Sequence, residues 1–201
     1  IRDRPGIIGA LLFSSPGLLE ASFLRASGAE ALAAVALVYP LIILAGMLSA
    51  GAIGGAVSGF TARAVGAGDY QEASTVLVCA VLISLIGGIL MWGLVVQFGP
   101  ILYQYASDST PVTQAAQRYA VLVFPAIPAY WLIHMLCSVL RGSGDMVRPA
   151  LVAIVLLISY TVLAFLIIPG QGASLDDAIQ GAAFAMAGSF LSSLLMAIYF
   201  I

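Results

Sequence analysis

The chain has no lysine, no asparagine, one histidine and two cysteines in 201 residues. Each scarcity excludes something. A Walker-type phosphate loop needs a lysine, so nucleotide hydrolysis by that device is ruled out. Any uphill work must therefore draw on an ion gradient or on a partner. Without asparagine there is no N-glycosylation sequon. With His134 as the single histidine, no multi-histidine metal site can form within the chain. Cys79 and Cys137 lie inside apolar stretches and read as inert packing thiols. Charge is scarce as well. Asp, Glu, Lys and Arg make up 8% of the chain, against roughly 25% in a globular domain. The net charge of −2 leaves no basic footprint for nucleic acid.

What fills the chain is apolar: 62% of residues are hydrophobic. Uncharged runs cover 31–62, 73–107, 119–140, 149–175 and 178–201, and a further run, 7–24, is broken only by Glu20. A bilayer core of about 30 Å needs roughly 20 helical residues. The expected architecture is all-α: a polytopic membrane protein, a bundle of six transmembrane helices near 7–25, 31–64, 73–98, 114–141, 147–169 and 177–201. The whole chain, 1–201, reads as one such lobe, and the loops are too short for a soluble domain. Gly99-Pro100 and Pro169-Gly170 are expected to end the third and fifth helices. Pro40 and nearby glycines offer bends in the long second helix, and Pro125 and Pro128 a kink in the fourth. No cleavable signal peptide is apparent. Ile1 is not a start methionine and Ile201 falls inside an apolar run, so the chain reads as a fragment.

Arginine placement orients the bundle. With the N-terminus inside, Arg2, Arg4, Arg63, Arg141 and Arg148 lie inside, and Arg25 and Arg118 outside. That distribution favours cytoplasmic N- and C-termini, in a bacterial inner membrane.

Four groups of residues are candidates for function. Glu20 is the acid deep in an apolar span, where a charge costs about 2.5–3.5 kcal/mol on insertion scales. Such a carboxyl can serve as a reversible proton carrier, or it can be hydrated near the outer interface or paired with Arg25. Pro16-Gly17, one turn earlier, can break the helix and admit polar groups. Tyr130, His134 and Ser138 recur at i, i+4 and i+8 on one helix face. They read as helix packing or as a cavity wall. Gly51, Gly55 and Gly59 form a double G-x-x-x-G suited to close helix packing. Finally, Arg63, Gly66, Gly68 and Asp69 after the second helix echo Arg141, Gly142, Gly144 and Asp145 after the fourth. Both are Arg followed by Gly-x-Gly-Asp: glycine for a left-handed C-cap, aspartate for the next N-cap. They read as tidy turns or as turns that move in a conformational cycle. Gly-x-Gly-Asp also marks intramembrane aspartyl proteases, but that chemistry needs two carboxyls sharing a proton. Both aspartates here sit at helix ends beside arginines, and Glu20 lies toward the opposite face. The chain does not read as an enzyme.

Together these segments resemble the N-terminal half of a multidrug and toxic compound extrusion (MATE) transporter. Gly28-Ala-Glu-Ala-Leu-Ala-Ala-Val35, Tyr39-Pro40-Leu-Ile, Ala62-Arg-Ala-Val-Gly-Ala-Gly-Asp-Tyr-Gln-Glu-Ala73 and Leu140-Arg-Gly-Ser-Gly-Asp-Met-Val-Arg-Pro149 carry the likeness. It implies two six-helix lobes around a central cavity, exchanging cationic, amphipathic drugs and toxins for protons or sodium ions. This chain would be one lobe, completed by a C-terminal lobe or by a second copy, in contact with lipid. Glu20 falls where many members carry a helix 1 aspartate. The family's Asn-x-x-x-Asp in helix 5 maps to Tyr160 and Ala164, so the second carboxyl is absent. Proton coupling is thereby favoured over sodium, and no cofactor or metal is implied. Tyr160 joins Tyr130, His134 and Ser138 as a candidate cavity residue. The alternatives are a lipid or lipid-linked oligosaccharide flippase of similar architecture, and a non-transporting membrane scaffold subunit.

Overall fold

The computed structural model describes residues 16–168 and 174–201, all helices and short turns with no strand among them. Expectations for residues 7–15 and for Pro169-Gly170 lie outside the described residues. Helix α1 is Pro16–Leu24, continued by a 3₁₀ turn Arg25–Ser27. Helix α2 is Ala29–Gly66, α3 is Tyr70–Ala106, α4 is Thr110–Gly142, α5 is Val147–Ile167 and α6 is Leu175–Tyr199. The last five are long and apolar enough to cross a membrane. The chain is therefore a multi-pass α-helical membrane protein.

Helix α4 occupies the centre. In its most apolar stretch 67% of residues are buried inside the bundle, against 22% for α3, whose other faces are left for lipid. The core gathers around Tyr119, Phe124, Ile127, Ile133, Leu156 and Phe190. A 3₁₀ turn at Phe124–Ala126, ahead of Pro128, interrupts α4 at the proline pair. Helix α2 holds α geometry through Pro40 to Gly46, then passes through a π-helical stretch, Met47–Ile53.

Two expectations need correction. Helix α3 does not stop at Gly99-Pro100; it runs on to Ala106. A proline removes one backbone bond, and long membrane helices tolerate that loss where neighbours re-satisfy the backbone. Gly99 contributes by leaving room for the Tyr103 ring, 3.2 Å from where a Cβ would stand. The second correction concerns Gly51, Gly55 and Gly59. A Cβ at any of the three would meet no atom of the described residues within 4 Å. The buried face of this segment is Gly54, Val57, Thr61 and Ala64. A Cβ on Gly54 would stand 2.6 Å from Ser138 Oγ. One on Gly142 would stand 2.6 Å from both the Ser58 carbonyl oxygen and Thr61 Cβ. A π turn uses more residues than an α turn, so the stripe changes phase across Met47–Ile53. Spacing alone does not carry that phase. Close packing by small residues thus occurs between α2 and α4, at Gly54 and Gly142. A second crossing joins α3 to α4, where a Cβ on Gly88 would lie 3.0 Å from Pro128 N.

The two Gly-x-Gly-Asp turns share one geometry. Gly68 (φ 74°) and Gly144 (φ 91°) take the left-handed conformation. Gly68 N–H donates to the Val65 carbonyl and Asp69 N–H to that of Ala64, at 3.1 and 3.0 Å. Gly144 N–H donates to the Arg141 carbonyl and Asp145 N–H to that of Leu140, at 3.1 and 3.0 Å. Each is a Schellman cap, which closes the helix and satisfies its last carbonyls. Asp69 then accepts from Glu72 N–H at 2.9 Å. Asp145 accepts from Val147 and Arg148 N–H at 2.9 and 3.0 Å.

Candidate functional site

The packing of α1, α2, α4, α5 and α6 leaves one large cleft, about 1040 Å³. That exceeds the space most small-molecule sites offer. Its walls are apolar, with aromatic side chains contributed by Tyr39, Tyr130 and Phe190. Tyr130 anchors this wall: its ring lies 4.6 Å from Phe190 and 4.4 Å, edge-on, from His134. Gly46 makes the fit possible, since a Cβ there would stand 2.8 Å from the Tyr130 hydroxyl. The π-helical stretch of α2 supplies further lining through Met47, Ala50 and Gly51.

The polar stripe on α4 divides. Tyr130 and His134 line the cleft; Ser138 does not. Ser138 is fully buried against α2, donating to the His134 carbonyl and accepting from Arg141 Nη2, both at 2.8 Å. Arg141, one turn on, does reach the cleft. It stands seven residues after His134 and eleven after Tyr130, on the same helix face, a signal that its place beside the Gly-x-Gly-Asp turn obscures. Arg63 sits two residues earlier relative to its own turn and stacks on Phe60, 4.5 Å from the ring centroid. The two arginines therefore face different surroundings despite the matching caps.

Glu20 lies beside the cleft, not in its wall. Pro16, Gly17, Leu18 and Ala21 of α1 line the cleft, while Glu20 is fully buried on the other face. Its Oε1 accepts a 2.5 Å hydrogen bond from the Tyr119 hydroxyl. Oε2 has no hydrogen-bond partner among the described residues. The expected alternative partner, Arg25, is not the group it meets. Tyr160 is fully buried and is not part of the cleft wall. Ala164, also buried, offers no oxygen ligand. Gly17 lets the Tyr39 ring lie directly on the α1 backbone, in space a Cβ would occupy. Tyr39 thus lines the cleft and packs on the α1 helix that carries Glu20. Tyr119 was missed at the sequence level. A buried carboxyl needs a donor, and that requirement was the available signal.

A family model for MatE matches residues 5–166. The chain belongs to the MatE family. Its structural neighbours are membrane transporters. A curated relative, described as an FAD transporter of Shewanella oneidensis, is 27% identical over 195 residues, covering 97% of this chain and 43% of that protein. A crystal structure of MATE in the bent conformation superimposes with a TM-score of 0.89 at 26% identity, over 98% of this chain and 43% of that one. A transporter from Pyrococcus furiosus, described as having a binding pocket of reverse polarity suggesting a different function, matches with a TM-score of 0.86 at 26% identity, over the same shares. This MATE chain thus spans less than half the length of the relatives it matches.

Proposed function

We propose that this MATE lobe is one half of a secondary active exporter of amphipathic compounds, drugs and toxins included. It works by alternating access, with Glu20 carrying the coupling proton. The observation that carries the reading is a fully buried carboxyl, held by Tyr119, immediately behind a large apolar and aromatic cleft. One carboxyl can hold one proton. A dehydrated sodium ion wants several oxygen ligands, and Ala164 supplies none where the family's second acid would stand. That contrast favours protons. The second lobe, or a second copy, closes the cleft. The N- and C-termini face the cytoplasm, with the Gly68 and Gly144 turns on that side.

The name of the Shewanella relative favours a narrower second reading, in which the cargo is a flavin dinucleotide. A scaffold role, by contrast, predicts that Glu20 is dispensable.

The test uses the complete transporter in proteoliposomes, with an imposed pH gradient and amphipathic dyes of both charge signs. Glu20→Gln keeps the shape of a protonated carboxyl. It should abolish gradient-driven flux while thermal stability stays near that of the parent. Glu20→Asp should retain part of the flux. Undiminished flux by Glu20→Gln would remove Glu20 from the coupling step.

A further inference from the structure

We propose that Arg141 is the anchor for an anionic group on the cargo, so that this lobe selects elongated aromatic anions. The inference rests on the reading that the cleft is the transport cavity.

The charge inventory of the cleft is the first argument. Among the described residues that line it, Arg141 carries a fixed charge and no aspartate or glutamate is present. Glu20 faces Tyr119 instead. The acid nearest in sequence, Asp145, is engaged elsewhere. It accepts from two backbone N–H groups and pairs with Arg148 Nε at 3.2 Å. Arg118 and Asp176 pair with each other. No carboxylate within the described residues lies within ion-pair distance of Arg141. A cation drawn to such walls would meet a like charge and no counter-charge. An anion would meet its complement.

The second argument is donor capacity. A guanidinium has five N–H donors in a planar fork, suited to carboxylate or phosphate. Arg141 spends one contact on a neutral acceptor, Ser138 Oγ at 2.8 Å. That bond holds the side chain in place, and the residue lines the cleft with no further side-chain hydrogen bond or ion pair among the described residues. A charged side chain in an apolar cleft is costly unless it faces a partner or water. Lysine would offer a point charge without the fork.

The third argument is shape. Tyr130, stacked with Phe190, and Arg141 both lie on α4, eleven residues apart by number. At 1.5 Å per residue that is about 16 Å along the axis. Cargo that stacks a ring at Tyr130 and places an anion at Arg141 must be elongated. The cavity volume permits it.

The test measures equilibrium binding to the complete transporter in neutral-lipid nanodiscs, by fluorescence anisotropy. The probes are fluorescein, as its anion, and a cationic rhodamine ester built on the same ring system. Binding needs no gradient, so failure of proton coupling through Glu20 leaves this readout intact. The parent should bind the anion more tightly. Arg141→Gln should weaken the anion about tenfold or more, the value of a lost charge-assisted contact, and leave the cation unchanged or tighter. Arg141→Lys should recover part of the loss. Equal weakening of both probes would assign Arg141 a structural role and overturn the proposal, as would unchanged anion binding. A further arm repeats the binding in nanodiscs containing phosphatidylglycerol. Displacement of the anion from the parent by that lipid, without its transport, would assign the site to a headgroup and overturn the cargo role.

Discussion

Replacing Gly142 with alanine should destabilise this protein, while the same change at Gly55 should stabilise it. At Gly142 the new methyl would stand 2.6 Å from the Ser58 carbonyl oxygen and 2.6 Å from Thr61 Cβ. Ordinary contacts lie near 3.5–4.0 Å, so α2 and α4 must part by about 1 Å. Overpacking of this kind costs about 1–3 kcal/mol. Alanine's better helix propensity returns at most about 1 kcal/mol, and less at Gly142, which ends its helix. At Gly55 no atom of the described residues stands within 4 Å. There the propensity gain of about 0.5–1 kcal/mol acts alone. The two variants should differ by roughly 2–3 kcal/mol, with opposite signs relative to the parent. Gly54→Ala should follow Gly142→Ala, because its methyl would stand 2.6 Å from Ser138 Oγ and 2.7 Å from the Ser49 carbonyl oxygen. The assay is heating in detergent followed by size exclusion, scoring the monodisperse fraction against temperature. At about 2–4 °C per kcal/mol for a chain of this length, the midpoints should separate by roughly 5–10 °C. Equal midpoints, or a lower one for Gly55→Ala, would refute the assignment of the packed face.

Two shorter tests address orientation and the turns. Cysteines at Ala67 and Ser143 should react with an impermeant thiol reagent from the cytoplasmic side, and cysteines at Ser109 and Ser174 from the opposite side; the reverse pattern would invert the proposed topology. Asp145→Ala removes two N–H acceptors and the Arg148 pairing, whereas Asp69→Ala removes one N–H acceptor. Both should lower thermal stability, by about 1 kcal/mol for Asp69 and more for Asp145, and equal losses would show that the extra contacts at Asp145 contribute nothing.

The helical bundle was legible because a bilayer imposes length and apolarity directly on the chain. The capped turns were legible because Gly68 and Gly144 occupy a conformation that side chains with a Cβ rarely adopt. Phase was not legible. Gly51, Gly55 and Gly59 have the right spacing for helix packing, yet the π-helical stretch turns them away and brings Gly54 to α4. Partnership across the sequence was not legible either. Tyr119 is 99 residues from Glu20, and no local pattern links them. Arg141 was masked by its own motif, since a basic residue at a helix C-terminus is adequately explained by the helix dipole. Only the three-dimensional cleft shows that its side chain has a second surface to serve.

The position of Glu20 also constrains how coupling can work. A carboxyl in the cleft wall could exchange a proton for a drug by direct competition. Glu20 is not in the wall, so cargo and proton do not contend for the same atoms. Communication must pass through a group that touches both compartments. Tyr39 is the candidate: it lines the cleft and lies on the backbone of Gly17, in the same helix as Glu20. Ionising Glu20 places a charge beside the Tyr119 hydroxyl in a region where charge is poorly solvated. Movement of Pro16–Leu24 relative to Tyr119 would carry Leu18 and Ala21 with it and reshape the cleft. If Glu20 carries the coupling proton, as proposed, the proton would act on cargo through the wall, by changing the cavity's form, while the proposed anion anchor, Arg141, stands on a different part of that wall.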